Sequence, residues 1–158
     1  MTIEPLGVAG PSALLAEVLA AHDEFWYSPD FPNGRDMRGI HHWVWFQQFG
    51  EYGLIARDGR ATVGYLLGVI TAAGLGYVHA VAVRPAYRGR GLGRALWQSF
   101  ARRAASEGAV ELQAITSPAN TTSIGFHTRL GMSAVMMPDY AGPGQDRVLF
   151  RASARGLG

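Results

Sequence analysis

The amino-acid sequence predicts an α+β (mixed α/β) fold in one domain, and three observations support that prediction. The chain has 158 residues, 48% of them hydrophobic, which suits a single sizeable core. Helical apolar spacing near the N-terminus gives way to β-rich runs bounded by turn residues. A β-branched run then leads through a glycine-rich turn into a further helical pattern. No repeat or long linker divides the chain, so the domain is expected to cover residues 1–158, with a short tail from about 152.

Two helices are predicted ahead of the first strands. Ser12 can cap a helix in which apolar residues recur at helical spacing over residues 14–19. The second helix is expected over about residues 36–49. Turn residues fill the segment 28–34, which is therefore predicted to be a loop.

The predicted strands follow these helices. Residues 54–56 and 61–70 flank the Asp58-Gly59 dipeptide, which suits a tight hairpin turn. A glycine-marked break at residues 73–76 leads to a further strand over residues 77–83. This last strand runs directly into the glycine-rich turn.

The composition excludes several classes of function. No cysteine is present, so disulfides, thiolate metal sites, iron–sulfur clusters and a cysteine acyl-enzyme are excluded. All 14 basic residues are arginine, which excludes a P-loop, kinase or Schiff-base lysine. A net charge of +2 is too small to indicate nucleic-acid or membrane binding. Residues 1–10 lack a signal-peptide pattern and no apolar run could span a bilayer, so a cytoplasmic protein without membrane attachment is expected.

The glycine-rich turn has the properties of a phosphate-binding loop. Its glycines and arginines are Arg88, Gly89, Arg90, Gly91, Gly93 and Arg94. The glycines let backbone N–H groups approach an anion, and the following helix adds its unpaired N-terminal donors. Cations oppose the dipole at a helix start unless an anion is bound, so the arginines favour a ligand. From spacing alone, the turn could also be a tight connection whose arginines are solvated. A dinucleotide-binding fingerprint is not supported, because Arg94 stands where that motif needs its third glycine.

Two blocks of the sequence resemble one enzyme family. Residues 81–93 read Val-Ala-Val-Arg-Pro-Ala-Tyr-Arg-Gly-Arg-Gly-Leu-Gly, which resembles the signature of the GNAT superfamily of N-acetyltransferases, a strand followed by R/Q-x-x-G-x-G/A. Residues 120–132 read Asn-Thr-Thr-Ser-Ile-Gly-Phe-His-Thr-Arg-Leu-Gly-Met, which resembles the family's N-x-x-A-x-x-F-Y-x-x-x-G-F block. The similarity covers about residues 50–151. The first 50 residues agree only in the order of their elements.

The resemblance implies a mostly antiparallel mixed sheet flanked by helices, in which the parallel fourth and fifth strands, residues 77–83 and 109–116, splay apart. Acetyl-CoA, the cosubstrate of the family, enters that gap as an extra strand. Its pantetheine amides bond to the fourth strand, its pyrophosphate bonds to the loop, and a fourth-strand amide, here of Val81 or Ala82, polarises its thioester carbonyl. The cofactor-binding residues that the resemblance implies are Val81, Ala82, Val83, Arg88, Gly89, Arg90, Gly91, Leu92, Gly93, Arg94, Asn120 and Phe126.

The family's reaction is direct attack of a neutral amine on the thioester, which agrees with the absence of cysteine. Many relatives protonate the leaving thiolate with a tyrosine after the phenylalanine of the second block, whereas this sequence has His127. A protonated His127 could act as that acid, although a pKa near 6.5 leaves only a minority charged at about pH 7.5. The alternative is that His127 has no chemical role. The thiolate would then leave unaided or take a proton from another group, such as Tyr140.

His79 is the candidate general base. The run from Tyr77 to Val83 resembles the arylalkylamine N-acetyltransferases, whose fourth strand carries a histidine at the matching place. Period-two geometry puts His79 on one face with Tyr77, Val81 and Val83 unless a β-bulge intervenes and reverses the facing. The alternative role is that of a core histidine bonded to a neighbour.

The acceptor is expected to be a small-molecule amine with an apolar or aromatic body. Nine of the 17 aromatic residues fall between Phe25 and Tyr52, the segment that covers the acceptor pocket in relatives. Taken singly, each is better explained as a core or dimer contact. The loop 139–144 could close the other side of the pocket. Carboxylates that could attract the ammonium group are Asp23, Glu24, Asp30 and Asp36.

The sequence also bears on other kinds of site and function. His41 and His42 point about 100° apart on a helix, so no metal site is expected. Without the usual tyrosine, the chain could be a non-catalytic acyl-CoA binding or sensing module. The acceptor could also be a protein lysine or N-terminus. Nucleic-acid binding rests only on arginines that lack interleaved aromatics, so no nucleic-acid partner is expected. A homodimer is the family's usual assembly.

Overall fold

A mixed β-sheet runs through the centre of the computed structural model, which describes residues 1–8, 10–26 and 39–157. Its strands are β1 (Thr2–Pro5), β2 (Leu54–Asp58), β3 (Ala61–Ile70), β4 (Leu75–Val83), β5 (Glu111–Thr116), β6 (Ser133–Met137) and β7 (Arg147–Ser153). Among the described residues they form one seven-stranded sheet in the order β1-β2-β3-β4-β5-β7-β6. The β4–β5 pair is parallel and the other neighbouring pairs are antiparallel, as predicted.

Helices cover both faces of this sheet. They are α1 (Pro11–Ala20), α2 (His22–Trp26), α3 (Val44–Gln47), α4 (Leu92–Ser106) and α5 (Thr121–Arg129). Helix α4 buries residues at a spacing of three to four, Leu96, Trp97 and Phe100 among them, against one face. Helices α1 to α3 bury a second core on the other face, which includes Leu14 and Phe46. None of the helices formed by the described residues has the length and apolar character needed to cross a bilayer.

A β-bulge interrupts the pairing of β4 with β3. Val78 pairs with Gly68 and Ala80 pairs with Leu67, so His79 is the extra residue on β4. An extra residue reverses the facing of the side chains that follow it.

The bulge decides which β4 side chains reach each core. Val81 and Val83 pack on the α4 core, whereas Ala82 packs on the core formed by α1 to α3. His79 therefore shares a face with Tyr77 and not with Val81 and Val83. The fold therefore has the β-bulge that the sequence allowed for, and the bulge separates His79 from Val81 and Val83.

Strands β4 and β5 separate part-way along their length. Parallel pairing runs from Leu75–Glu111 to Val78–Ala114 and then stops, although β4 continues to Val83 and β5 to Thr116. The splayed pair implied by the family resemblance is confirmed. Each free strand end leaves backbone groups without a partner from the other strand.

Two sequence-based expectations about the helices are wrong. Helix α1 starts at Pro11 with Gly10 as its N-cap, and the Ser12 hydroxyl accepts a hydrogen bond from Gln47 Nε2 at 2.9 Å instead of capping the helix. The second helix expected over 36–49 is reduced to α3, with residues 39–41 in a 3-10 turn. Glycine, β-branched and aromatic residues favour a helix weakly, so packing sets these bounds. Residues 36–38 and the predicted loop 28–34 lie outside the described residues.

Candidate functional site

A cleft of about 930 Å³ opens where β4 and β5 part. Its walls are the free ends of both strands, the glycine-rich turn, the first turns of α5 and the end of α2. The predicted cofactor-binding residues that line it are Val81, Ala82, Val83, Arg88, Gly89, Gly91, Leu92, Gly93, Arg94, Asn120 and Phe126. The guanidinium of Arg90 instead lies over the ring of Tyr87, 5.5 Å from its centroid.

The backbone of β4 offers hydrogen-bonding groups to this cleft. The N–H of Arg84 donates to the carbonyl of Val63 on β3 at 2.9 Å. Backbone groups alternate in direction along a strand, so those of Ala82 also point toward β3. Those of Val81 and Val83 consequently point toward the gap. The cleft side of β4 is therefore an open ladder edge.

Two arginines hold α2 against the end of β4. Arg88 donates from Nε to the Val83 carbonyl at 2.9 Å and from Nη2 to the Phe25 carbonyl at 2.8 Å. Arg84 pairs with the Glu24 carboxylate and lies over the Phe25 ring, 4.9 Å from its centroid. The end of α2 is thereby fixed at the mouth of the cleft.

The glycine-rich turn forms an open cradle at the start of α4. Gly89 and Gly91 have left-handed φ angles of 73° and 81°, and no atom lies within 4 Å of a Cβ placed at either. Gly91 is the N-cap of the 15-residue helix, and no side chain caps the first N–H groups. Arg94 lies beside them, and its Nη2 donates to the Arg129 carbonyl at 2.8 Å. Free helix N–H groups with an arginine nearby can bind an anion, so this cradle is the candidate anion site.

The first turn of α5 brings polar groups to the opposite wall. Asn120 Oδ1 accepts a hydrogen bond from the Ser123 N–H at 3.0 Å and so caps the helix. Four serine and threonine residues line the cleft with it: Thr116, Ser117, Thr122 and Ser123. Sequence reasoning missed these four, because serine and threonine carry no signal of their own without a motif.

His127 lies in this wall and borders the cleft, although it is almost fully buried. Its side chain is 4% exposed, and its ring stacks on Phe150 with 4.3 Å between centroids. Nδ1 donates to the Ser123 carbonyl at 2.9 Å, since that oxygen can only accept. Nε2 is buried without a hydrogen-bond partner among the described residues. Burial lowers the pKa of His127 to about 4, against a small opposing effect of the Ser123 bond, so the imidazole is neutral at physiological pH.

His79 lines the cleft on the face opposite α4. Its ring stacks on Trp45, 4.1 Å between centroids and 11° from parallel. Nε2 donates to the Ile40 carbonyl at 2.9 Å, which leaves Nδ1 with the lone pair. Burial lowers the pKa of His79 below its ordinary value, and the bond to Ile40 offsets this only in part. The site thus presents a neutral, oriented imidazole.

The two tyrosines on this side differ in position. Tyr77 lines the cleft, and burial raises its pKa, with a smaller effect from the nearby Tyr140. Tyr140 itself is 48% exposed on the β6–β7 loop and is not among the described residues of the lining.

The acidic and aromatic candidates divide between several environments. No carboxylate lies among the described lining residues, and Glu24 pairs with Arg84. Trp26 lines the cleft and donates from Nε1 to the Tyr65 hydroxyl at 2.7 Å, and His41 Nε2 lies 2.5 Å from the same oxygen. Tyr27, Asp30, Phe31 and Asp36 lie outside the described residues. No group of three metal-ligating side chains is found in the described ranges.

Comparisons with known proteins give a consistent family. The model of the acetyltransferase (GNAT) family matches residues 16–132. L-2,4-diaminobutyric acid acetyltransferase from Nocardia farcinica is 38% identical over 84 residues, which are 51% of this chain and 43% of that protein, so the match spans less than half of the relative. Among solved structures, aminoglycoside 6'-acetyltransferase type Ii superposes with a TM-score of 0.75 at 16% identity over 98% of this chain and 97% of the other. A Salmonella typhimurium protein of acetyltransferase type, solved with its cofactor acetyl-CoA, superposes with a TM-score of 0.67 at 20% identity. The superposition covers 98% of this chain and 94% of the other.

Gly91→Asp should weaken the binding of acetyl-CoA by about 10- to 100-fold, because a carboxylate at the start of α4 repels the pyrophosphate and competes for the helix N–H groups. Calorimetry with the purified protein measures the effect. The matched control is Gly59→Asp, which also has a left-handed φ, of 58°, and open surroundings, but lies in the β2–β3 turn. Equal affinity for acetyl-CoA in a folded Gly91 variant and in the control would show that the turn does not bind the pyrophosphate.

Folding stability should fall between about pH 6.5 and pH 4 because of His127. The pKa of His127 is lower in the folded state than in the unfolded chain. The contribution of His127 to the free energy of unfolding is therefore complete above the unfolded pKa and is lost as pH falls toward the folded pKa of about 4. The loss amounts to roughly 3 kcal/mol. Urea unfolding across this range should show a smaller pH dependence for His127→Phe than for wild type. Replacing the exposed His42 by Phe is the control, and an identical profile in all three proteins would contradict the assignment.

Proposed function

Because this chain belongs to the acetyltransferase (GNAT) family and is an acyltransferase, we propose that it transfers the acetyl group of acetyl-CoA directly to a primary amine of a small molecule with an apolar or aromatic body. The observation that carries this proposal is the open edge of β4, which ends beside an uncapped helix start. The relative named for L-2,4-diaminobutyric acid supports a small-molecule acceptor.

The residues of the cleft fit acetyl-CoA, which would supply the thioester-bound acetyl group. The backbone groups of Val81 and the N–H of Val83 are oriented for the amides of a pantetheine arm, whereas the Val83 carbonyl already accepts from Arg88. The Gly89–Gly91 cradle suits a pyrophosphate. Asn120 lies on the facing wall, where its Nδ2 group is free to donate because only Oδ1 is used in the cap. A structural neighbour of the same fold that holds acetyl-CoA supports this assignment.

We assign the oxyanion donor to Val81 in preference to Ala82. The N–H of Ala82 points toward β3, whereas that of Val81 points into the gap. A backbone donor held by a strand is already oriented, so it costs no reorganisation when negative charge develops on a carbonyl oxygen.

We assign the general base to His79. Its Nε2–H is committed to the Ile40 carbonyl, so Nδ1 is the atom that can take a proton from the amine. The Trp45 stack holds the ring in place on the acceptor side of the sheet. His127 is not the acid in this scheme, because its imidazole is neutral and its Nδ1–H is committed to the Ser123 carbonyl.

The proposal is tested by a screen of small amines and peptides with acetyl-CoA, with release of the coenzyme thiol as the readout and mass spectrometry of the products. We expect thiol release that depends on a small primary amine, with one acetyl group added to it. Acetyl-CoA binding without turnover on any acceptor would favour a non-catalytic binding module. Preferential acetylation of peptide lysines or N-termini would identify a protein acetyltransferase.

His79→Gln should lower kcat/KM by about 10²- to 10⁴-fold at neutral pH, since glutamine can still donate to the Ile40 carbonyl but cannot take a proton. The wild-type profile should show an acidic limb below about pH 6.5, because the pKa of His79 is lowered and the base must be neutral. The variant should lack this acidic limb, and its kcat/KM should rise as increasing pH deprotonates the free amine. His42→Gln serves as the control. A folded His79 variant with the wild-type pH profile would rule out the base.

A further inference from the structure

Arg147 is the one arginine among the described lining residues that lies on the acceptor side of the sheet. The other arginines of the lining, Arg88, Arg94 and Arg129, gather around the start of α4 and the end of α5. Arg147 begins β7, in which Val148 and Phe150 pack on the α4 core. Because side chains alternate along a strand, Arg147 faces the opposite side.

This face also carries the proposed base. In β5, Leu112 and Ala114 pack on the α4 core, so Ile115 points to the same side as Arg147. Tyr77 and His79 share that side, because Val78 between them packs on the α4 core. Arg147 lies one step beyond the Thr116–Val148 pair, toward the open end of the cleft.

Arg147 has no carboxylate partner in the part of the chain that the structure describes. Its Nη1 donates to the Asp146 backbone carbonyl at 2.7 Å. The neighbouring acids are occupied by loop N–H groups: Asp146 Oδ1 accepts from Asp139, and Asp139 Oδ1 accepts from Gly144. The other guanidinium N–H groups of Arg147 are therefore available at the cleft.

Arg151, on the same strand, is an arginine with a structural role and can be compared with Arg147. It lies four residues further on, on the same face, and bonds to both oxygens of Glu111 at 2.7 and 3.1 Å. Among the described residues, the fold thus supplies a carboxylate for the arginine away from the cleft and none for the arginine within it. A guanidinium without a carboxylate partner, in a cleft whose described lining contains no acidic residue, is suited to a planar anion.

We propose that Arg147 binds a carboxylate of the acceptor, so that the preferred acceptors are amines that also carry an acidic group, of the amino-acid class. This inference rests on the proposed acetyltransferase function. The guanidinium positions the acceptor through its carboxylate, and its positive charge also favours the neutral form of an amine held near His79.

Matched pairs of acceptors that differ by the carboxylate test the proposal: lysine with 1,5-diaminopentane, and phenylalanine with 2-phenylethylamine. With acetyl-CoA, wild type should have a kcat/KM about 10- to 100-fold higher for the carboxylate member. Arg147→Gln should abolish that preference, mainly through a higher KM. Arg151→Gln, the matched control on the same face, should keep it. A wild-type preference for the decarboxylated members, or an unchanged ratio in Arg147→Gln, would overturn the inference while leaving an acetyltransferase.

A binding measurement keeps the test independent of turnover. Calorimetry with 3-phenylpropanoate, which carries the carboxylate but no amine, should show binding to the protein saturated with coenzyme A, and a loss of about tenfold or more in Arg147→Gln. If no amine is turned over, the proposed function fails, and binding of this probe still decides the role of Arg147. Equal affinity in Arg147→Gln and wild type would contradict the carboxylate site.

Discussion

The end of hydrogen bonding between β4 and β5 beyond Val78 and Ala114 is the constraint on which the rest of the molecule depends. A strand that leaves its neighbour inside a protein must find other partners, because a buried unpaired backbone group costs about 1–3 kcal/mol. Arg88 supplies one partner by bonding to the Val83 carbonyl. The other groups face an open cleft. An extended ligand with its own amides is the kind of molecule that completes such an edge.

The bulge at His79 gives the two faces of the sheet different chemistry. Beyond it, Val81 and Val83 pack against the α4 side, on which the candidate anion site lies. His79 itself reaches the other face, where the Ile40 carbonyl and the Trp45 ring orient it. One extra residue thereby places the candidate base on the face opposite α4, while the open backbone edge of β4 faces the cleft.

The two histidines of the predicted site show how burial assigns a role. Both rings use one nitrogen to donate to a backbone carbonyl, of Ile40 for His79 and of Ser123 for His127. Burial lowers the pKa of each, and for His127, enclosed by Trp97 and Phe150, the pKa falls to about 4. Both residues border the cleft, but His79 is only partly buried there. Burial thus favours a packing role for His127 and leaves His79 as the candidate base.

The sequence by itself determined the fold class, the strand–turn–helix unit and the position of the glycine-rich turn that is the candidate anion site. These depend on local properties, such as the left-handed φ angles of Gly89 and Gly91, which involve neighbours only a few residues away. Only the tertiary structure decided the facing of His79, the burial of His127 and the lack of a carboxylate partner for Arg147 among the described residues. Strand register, burial and charge pairing depend on residues far apart in the chain, so local pattern carries little information about them.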